Sequence, residues 1–120
     1  MDSGATHHGT PGLNDFTTLS PYHGKSSVVI GNGQRLYIAH IGHTSVAADS
    51  FPLRLKHVLH TPHLSQRLVS VSKVCHDNDV SVEFNSIGFF VKNKKTSQVL
   101  LQGQTHQGLY KLPSPPATSA

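Results

Sequence analysis

Short runs in which apolar and polar residues alternate dominate the chain and predict a series of β-strands. The clearest run is 80–84, where Val80, Val82 and Phe84 share one face of a period-2 pattern. Further strands are predicted at residues 26–30, 34–46, 53–59, 88–91 and 98–101. In the segment 53–59, Leu53, Leu55 and His57 are expected on the same face. The hydrophobic pattern therefore favours a protein built mainly of short strands.

Turn signals separate these strands. Asn32-Gly33 predicts a tight two-residue hairpin turn between the first two strands. Gly42 lies inside the long 34–46 strand and predicts a bend or bulge there. The only tight basic cluster is Lys92, Lys94 and Lys95. The overlapping segment 93–96 lies between two apolar runs, and we interpret it as a solvent-facing hairpin turn.

The segment 64–75 carries two overlapping patterns. Helical spacing is followed by Leu64, Leu68, Val71 and Cys75. Residues 68–71 are also rich in valine, which is typical of strands. A short strand through Val69, followed by one or two helical turns that end near residues 76–78, satisfies both patterns.

Composition narrows the class of protein. The 120 residues are 36% hydrophobic and only 13% charged, with 10 Gly and 7 Pro, which suits one small, turn-rich β domain. The single cysteine, Cys75, excludes an intrachain disulfide and fits a reducing compartment. The sequence shows neither an apolar run of about 18 residues nor a signal peptide. We therefore expect an intracellular, cytoplasmic protein that does not enter a membrane.

The residues Asp2-Ser3-Gly4-Ala5-Thr6 carry the main chemical hypothesis. Asp-Ser/Thr-Gly-Ala is the sequence in which pepsin-like and retroviral aspartic proteases present a catalytic carboxylate. Two such carboxylates about 3 Å apart share one proton and act as acid and base on a single water. The chain contains one such motif, so a catalytic pair would need a second copy of the chain. Asp-Ser-Gly is also a common turn sequence, and the five residues by themselves leave that alternative open.

Ten histidines raise the question of a metal site. The closest group, His57, His60 and His63, lies across a predicted strand end and a Thr-Pro turn. Zinc sites usually combine Cys and His at set spacings, and one cysteine cannot build the common structural types. The sequence His-Glu-x-x-His is absent as well. We predict neither a metal nor a cofactor.

Four blocks of sequence, in order, resemble Copia-type retrotransposon Pol polyproteins. They are DSGATHH at 2–8, VIGNGQ at 29–34, HVLHTPHL at 57–64 and LVSVSK at 68–73. The resemblance covers about residues 2–112. It is to the protease-region β-barrel domain, of the type described for retrovirus-related Pol polyproteins of the TNT group. Residues 1–112 are thus predicted to form one domain, and the Pro/Ser-rich residues 113–120 a linker or tail.

The resemblance implies a mostly β fold, a small closed β-barrel of the retropepsin-like aspartic protease type with one short helix. It also implies a homodimer in which each subunit gives one aspartate. Asp2 would be catalytic, Ser3 would brace the pair across the dimer axis, and Gly4 would offer backbone hydrogen bonds to the peptide. Ala5 and Thr6 complete the support of the active site.

The same resemblance assigns a flap to the residues Ile30, Gly31, Asn32, Gly33 and Gln34. A glycine-rich flap can bend at its tip and approach a bound peptide closely. Without the resemblance, an ordinary tight hairpin explains these residues equally well. The segment 68–70 stands where retroviral enzymes carry two apolar residues and a glycine before a short helix, with Ser70 in the glycine position. Arg67 stands where many relatives carry asparagine and is expected at the surface.

Relatives usually have a strand with an aromatic residue just ahead of the motif, and Met1 stands in its place. We therefore expect Asp2 on a frayed end, which holds a carboxylate too loosely for efficient catalysis. The chain is predicted to be a fragment of a Gag-Pol polyprotein, found in retrotransposon particles, that cleaves polyprotein peptides weakly or not at all.

Two other function classes remain open. One is a non-catalytic structural or peptide-binding barrel of the polyprotein. The other is a small basic nucleic-acid-binding barrel, because a net charge of +4 and a pI near 9.5 permit weak attraction to nucleic acid. The nucleic-acid alternative lacks a recognisable binding module.

Overall fold

A computed structural model describes residues 5–46, 52–106 and 109–110. The described chain contains one α-helix, α1, at Val71–Asn78. Its strands are β1 Gly9–Thr10, β2 Thr18–Pro21, β3 Ser27–Val29, β4 Arg35–Tyr37, β5 His40–Val46, β6 Leu53–His60, β7 Val80–Phe84, β8 Gly88–Asn93, β9 Val99–His106 and β10 Leu109–Tyr110. The predicted mostly β class with one short helix is confirmed.

The strands form two four-stranded sheets and a separate hairpin. The first sheet has the order β1-β6-β5-β2, the second the order β10-β9-β8-β7, and β3 pairs with β4. All of these pairs are antiparallel except β1 with β6, which is parallel. Among the described strands, the ladders do not join into one continuous hydrogen-bonded ring. The barrel-like domain is held together by its core instead.

The core lies where the two sheets and α1 meet. It contains Val46, Leu53, Leu55, Val58, Val74, Val80, Phe89, Val91, Leu100 and Leu101, all buried and in contact with one another. These residues come from β5, β6, α1, β7, β8 and β9. Burial of their apolar surface is the main stabilising contribution to the fold.

The hairpin predicted around Asn32-Gly33 is present, but its turn is longer than two residues. The N–H of Gly33 donates to the Ile30 carbonyl at 2.8 Å, and Gly33 has a φ of 83°. A turn closed in this way and followed by a left-handed glycine is the three-residue loop with a bulge. The Asn32 side chain supports it by accepting from the N–H of Gln34 at 2.8 Å.

The single strand predicted over 34–46 is wrong, because the chain bends at Ile38–Ala39 and forms β4 and β5. Ala39 lies between β4 and β5. Its N–H donates to the His60 carbonyl, and its carbonyl accepts from the Tyr22 N–H. The predicted bulge is confirmed: the β5–β6 register shifts between Gly42 and Thr44. Glycine is needed there, since a Cβ on Gly42 would lie 2.0 Å from the Thr18 carbonyl oxygen of β2.

The alternation predicted for β6 is wrong at His57, opposite the bulge. His57 has a φ of 55° and is exposed, whereas Val58 is buried. His57 therefore does not share the buried face of Leu53 and Leu55. Its backbone N–H donates to Nδ1 of His43 on the neighbouring strand at 3.2 Å. A positive φ costs free energy for a histidine, and sequence periodicity gives no sign of it.

The order predicted for 64–75, a short extended segment followed by a helix, is confirmed. Leu68 forms a single antiparallel bridge with Gly9, and the helix then runs to Asn78. The predicted helical stripe is wrong, because its first two members precede the helix. Val74, with 0% exposure, is the residue that α1 buries in the core.

The helix is fastened at both ends by side chains. At its start, Ser70 Oγ accepts from the N–H of Lys73 at 3.3 Å. At its end, Asn78 Oδ1 accepts from the backbone N–H of Arg54 at 2.7 Å, and Asn78 Nδ2 donates to the Arg54 carbonyl at 2.9 Å. The amide of Asn78 thus continues the edge of β6 as a neighbouring strand would.

Replacing Asn78 with alanine is expected to lower the free energy of unfolding by about 1 kcal/mol, because both hydrogen bonds to Arg54 are lost while water can reach the exposed strand edge. The measurement is urea unfolding followed by circular dichroism. Asn14→Ala, at an exposed position, is the matched control and should change stability by less than about 0.5 kcal/mol. Equal effects of the two substitutions would contradict the role of Asn78.

The basic turn behaves as its sequence predicts. Lys94 and Lys95 are exposed between β8 and β9, and Asn93 Oδ1 accepts from the N–H groups of Lys95 and Thr96. In the described parts of the chain, no helix has the length and apolar character that crossing a membrane would require.

Candidate active site

The structure describes part of the predicted catalytic motif. Asp2, Ser3 and Gly4 lie outside the described residues. The carbonyl oxygen of Ala5 accepts a hydrogen bond from Ser70 Oγ at 2.7 Å. Thr6 is exposed, and its hydroxyl lies 2.9 Å from Nδ1 of His7. The motif is therefore attached, at Ala5, to the residue that begins α1.

The residues directly after the motif enter the middle of the domain as β1. On one side, the N–H of Leu59 donates to the His8 carbonyl at 3.0 Å, next to the parallel pairing of β1 with β6. On the other side, Gly9 and Leu68 exchange two backbone hydrogen bonds, both of 2.8 Å. Gly9 permits this close approach, since a Cβ there would lie 3.2 Å from Cδ2 of Leu64.

His8 is the most buried histidine of the described chain, with 1% exposure. Its Nδ1 accepts from the backbone N–H of Ser70 at 2.9 Å, so in the neutral ring the proton resides on Nε2. Nε2 is buried and has no hydrogen-bond partner among the described residues. Burial, followed by the positive charge of Lys73, lowers the pKa of His8 to about 4, against a smaller opposing effect of Asp77.

The buried carboxylate of Asp15 is hydrogen-bonded to Thr10 of β1. Asp15 accepts two hydrogen bonds from the guanidinium of Arg67, at 2.7 and 2.8 Å, and a third from the Thr10 hydroxyl. The Arg67 hydrogen bond, followed by that of Thr10, lowers the pKa of the Asp15 carboxyl despite its burial. Arg67 itself is 55% exposed, which confirms its predicted surface position. A bidentate pair of this kind fixes geometry as well as charge.

The predicted flap residues form the exposed tip of the β3–β4 hairpin. A Cβ added to Gly31 or Gly33 would meet no atom within 4 Å. The hairpin contacts the domain through Tyr37, whose ring lies 5.5 Å from that of His63. No hydrogen bond between described residues joins 30–34 to Ala5 or Thr6.

Four of the other histidines form two pairs. Nδ1 of His40 and Nδ1 of His60 lie 2.9 Å apart, with one ring donating and the other accepting. Burial, and then the neighbouring His40, lower the pKa of His60. His43 and His57 pack edge to face at 5.4 Å. The described residues contain no group of three or more His, Cys, Asp or Glu arranged to hold a metal ion.

Sequence reasoning missed the residues that hold the motif in place. The Asp15–Arg67 pair joins positions 52 residues apart, and the His8–Ser70 bond joins positions 62 apart. Neither pair follows a helical or strand spacing. The available signal was the position of His8, two residues after Thr6 and followed by a glycine and a threonine.

The family model described as Pol polyprotein, beta-barrel domain, matches residues 1–80. The chain belongs to this family. The domain is also 42% identical over 113 residues to two Arabidopsis thaliana proteins, the retrovirus-related Pol polyproteins from transposons RE1 and RE2. The alignment covers 94% of the chain and 8% of each relative, so the chain spans less than a tenth of their length. No solved structure matches it.

Proposed function

We propose that this Pol β-barrel domain is the aspartic peptidase unit of a Copia-type retrotransposon polyprotein. On this proposal, two copies associate, and each contributes Asp2 to a pair of carboxylates. The substrate is a peptide segment of the polyprotein. The relatives' names, which describe Pol polyproteins of transposons, supply the substrate class.

The observation that supports this proposal best is the bond between Ala5 and Ser70. A catalytic aspartate must be held within a fraction of an ångström of its working position. Ala5, three residues after Asp2, is bonded to Ser70 at the start of α1, and His8 and Gly9 are bonded to two neighbouring backbone segments. An ordinary surface turn would need no such attachment.

The exposed β3–β4 hairpin supports the proposal as a second element. Its tip has glycines at Gly31 and Gly33 with space around both, and its base contacts the domain through the ring of Tyr37. A tip of this kind can move towards an extended peptide and bond to its backbone.

The chemistry follows from two carboxylates that share one proton. The ionised Asp2 of one subunit removes a proton from a water molecule, which attacks the peptide carbonyl carbon. The protonated Asp2 of the other subunit donates its proton to the carbonyl oxygen, which gives a tetrahedral diol. The C–N bond then breaks, the nitrogen leaves with the proton that the first Asp2 took from water, and a diol hydroxyl returns its proton to the second Asp2 as the carboxylic acid forms. The hydrogen-bonding roles of Ser3 and Gly4 at this site belong to the same proposal.

The test is cleavage of a peptide that spans a junction of the polyprotein, by the purified chain and by Asp2→Asn. Loss of one carboxylate should reduce the rate at least about 100-fold. Asp79→Asn is the matched control, because Asp79 lies at the left-handed end of α1 with a φ of 54°, a conformation that asparagine tolerates. The control should cleave at the original rate.

A dimeric enzyme has a second signature. The rate per subunit should rise with protein concentration until dimers predominate. Cleavage that survives Asp2→Asn would contradict the assignment of Asp2. If neither the chain nor its variants cleave the peptide, the domain is a non-catalytic barrel of the polyprotein.

A further inference from the structure

We propose that His8 and Ser70 form a clamp that positions the segment following Asp2, and that the clamp requires a hydrogen-bond acceptor at the position of His8 Nδ1. The inference rests on the proposed peptidase function for its catalytic consequence. Its structural part, that the clamp holds Ala5 in place, stands independently of catalysis.

The clamp uses both polar groups of one residue. The backbone N–H of Ser70 donates to His8 Nδ1 at 2.9 Å, and the Ser70 hydroxyl donates to the Ala5 carbonyl at 2.7 Å. Ala5 and His8 are three residues apart, so the short segment between them is tied at both ends to Ser70. Ser70 is itself 0% exposed and caps α1. The segment therefore cannot shift without disturbing the start of the helix.

A histidine at position 8 destabilises the fold unless its acceptor nitrogen, Nδ1, is needed. Its Nε2–H is buried without a partner among the described residues, and an unpaired buried donor destabilises a fold. An apolar side chain would avoid that loss but would leave the N–H of Ser70 unpaired instead. The ring nitrogen that faces Ser70 is thus the part of His8 that the structure uses.

The acceptor is available only while the ring is neutral. The charged groups that act on His8 are Lys73 and Asp77 of α1 and His7 of its own segment. Burial, Lys73 and His7 all lower the pKa of His8, and Asp77 alone opposes them. The ring is therefore neutral down to about pH 4. His8 does not touch the reacting atoms in this scheme, and we regard it as a positioning residue.

The test compares His8→Asn with His8→Leu. Asparagine places an acceptor oxygen at the same branch of the side chain as Nδ1, whereas leucine fills similar space without an acceptor. His8→Leu should lower kcat about 10- to 100-fold with KM changed less than about threefold, as expected for a displaced catalytic group. His8→Asn should recover kcat to within about fivefold of the original chain. His76→Leu, on the exposed side of α1, is the control and should have no effect on kcat.

Amide NMR spectra of the same variants separate this proposal from the peptidase proposal. The amide signals of Ala5, Thr6 and Ser70 should shift in His8→Leu and return towards their original positions in His8→Asn. If the original chain does not cleave but these shifts are seen, the peptidase proposal fails and the clamp stands. If the chain cleaves and His8→Leu retains kcat, or if the signals do not move, the clamp is wrong.

If His8→Leu does not fold, a second substitution, Ser70→Ala, tests the clamp. Ser70→Ala removes the hydroxyl bond to Ala5 and leaves the backbone bond to His8 in place. It should lower kcat and shift the Ala5 signal while the His8 ring signals stay unchanged. An unchanged kcat and an unchanged Ala5 signal in Ser70→Ala would likewise overturn the clamp.

Discussion

Lowering the pH from 6.5 to 4 is expected to reduce the free energy of unfolding by roughly 3 kcal/mol through His8 alone. The pKa of His8 is about 4 in the folded domain and 6.5 as its ordinary value. Between these two values the unfolded chain binds a proton that the folded domain rejects. The contribution of His8 to the free energy of unfolding is therefore fully present above pH 6.5 and is lost as the pH decreases towards 4. Urea unfolding at pH 7, 5.5 and 4 measures the effect.

Two other groups with shifted pKa values also affect the pH dependence of stability. His60 also has a lowered pKa and adds to the loss of stability below its ordinary value of 6.5. Asp15 has a lowered pKa from its bond to Arg67, so its contribution is retained above its ordinary value of 3.8 and is lost below it. The fall between pH 6.5 and 4 is thus due to histidines rather than to this ion pair.

His8→Asn identifies the residue responsible for the acid effect. The variant has no group that titrates at this position, so its fall in stability should be smaller than that of the original chain by roughly 3 kcal/mol. His76→Asn, exposed on α1, should keep the original fall. An equal pH dependence of His8→Asn and the original chain would show that His8 is not the group involved.

Phe89→Ala is expected to lower the free energy of unfolding by about 3–5 kcal/mol, the usual cost of removing a buried phenylalanine ring. Phe89 is 1% exposed and is the largest fully buried side chain among the described residues. It belongs to the cluster that joins β8 to β6 and α1, with its ring 6.5 Å from that of Phe84. Its removal would leave a cavity between the two sheets. For a domain of this size, such a loss is a large part of the total stability.

Phe90 provides a control from the same strand. It lies on the opposite face, is half-buried, and has Lys92 Nζ 5.9 Å above its ring. Phe90→Ala should lower the free energy of unfolding by less than about 2 kcal/mol. Comparison of the urea midpoints of the two variants decides the point. A larger loss in Phe90→Ala would mean that β8 faces the core with the other side.

Most of the second sheet could be predicted, because β7, β8 and the first half of β9 follow local patterns, whereas β10 was not predicted. The bounds of β7 and the basic turn between β8 and β9 agree with the structure. The predicted apolar face of β7 holds for Val80, which is buried, and for Val82, which packs against the core, but is wrong for Phe84, which is 40% exposed. These strands are neighbours in sequence and are joined by short turns, so their pairing depends on local signals. The first sheet was predicted less well. β1 and β2 carry no alternating pattern, and β1 pairs with β6 about 50 residues away.

The sequence by itself determined the class of the fold, the family resemblance and the motif Asp2-Ser3-Gly4-Ala5-Thr6, because these depend on residue types at fixed local spacings. Only the tertiary structure decided how the end of the motif is held. The Ser70 bonds to Ala5 and His8, and the Asp15–Arg67 pair, join residues that no periodicity relates. Their hydrogen bonds depend on the packing of β6 and α1 against β1. Burial removes water from His8 and lowers its pKa, so that the ring is a neutral hydrogen-bond acceptor. This burial cannot be predicted from the sequence.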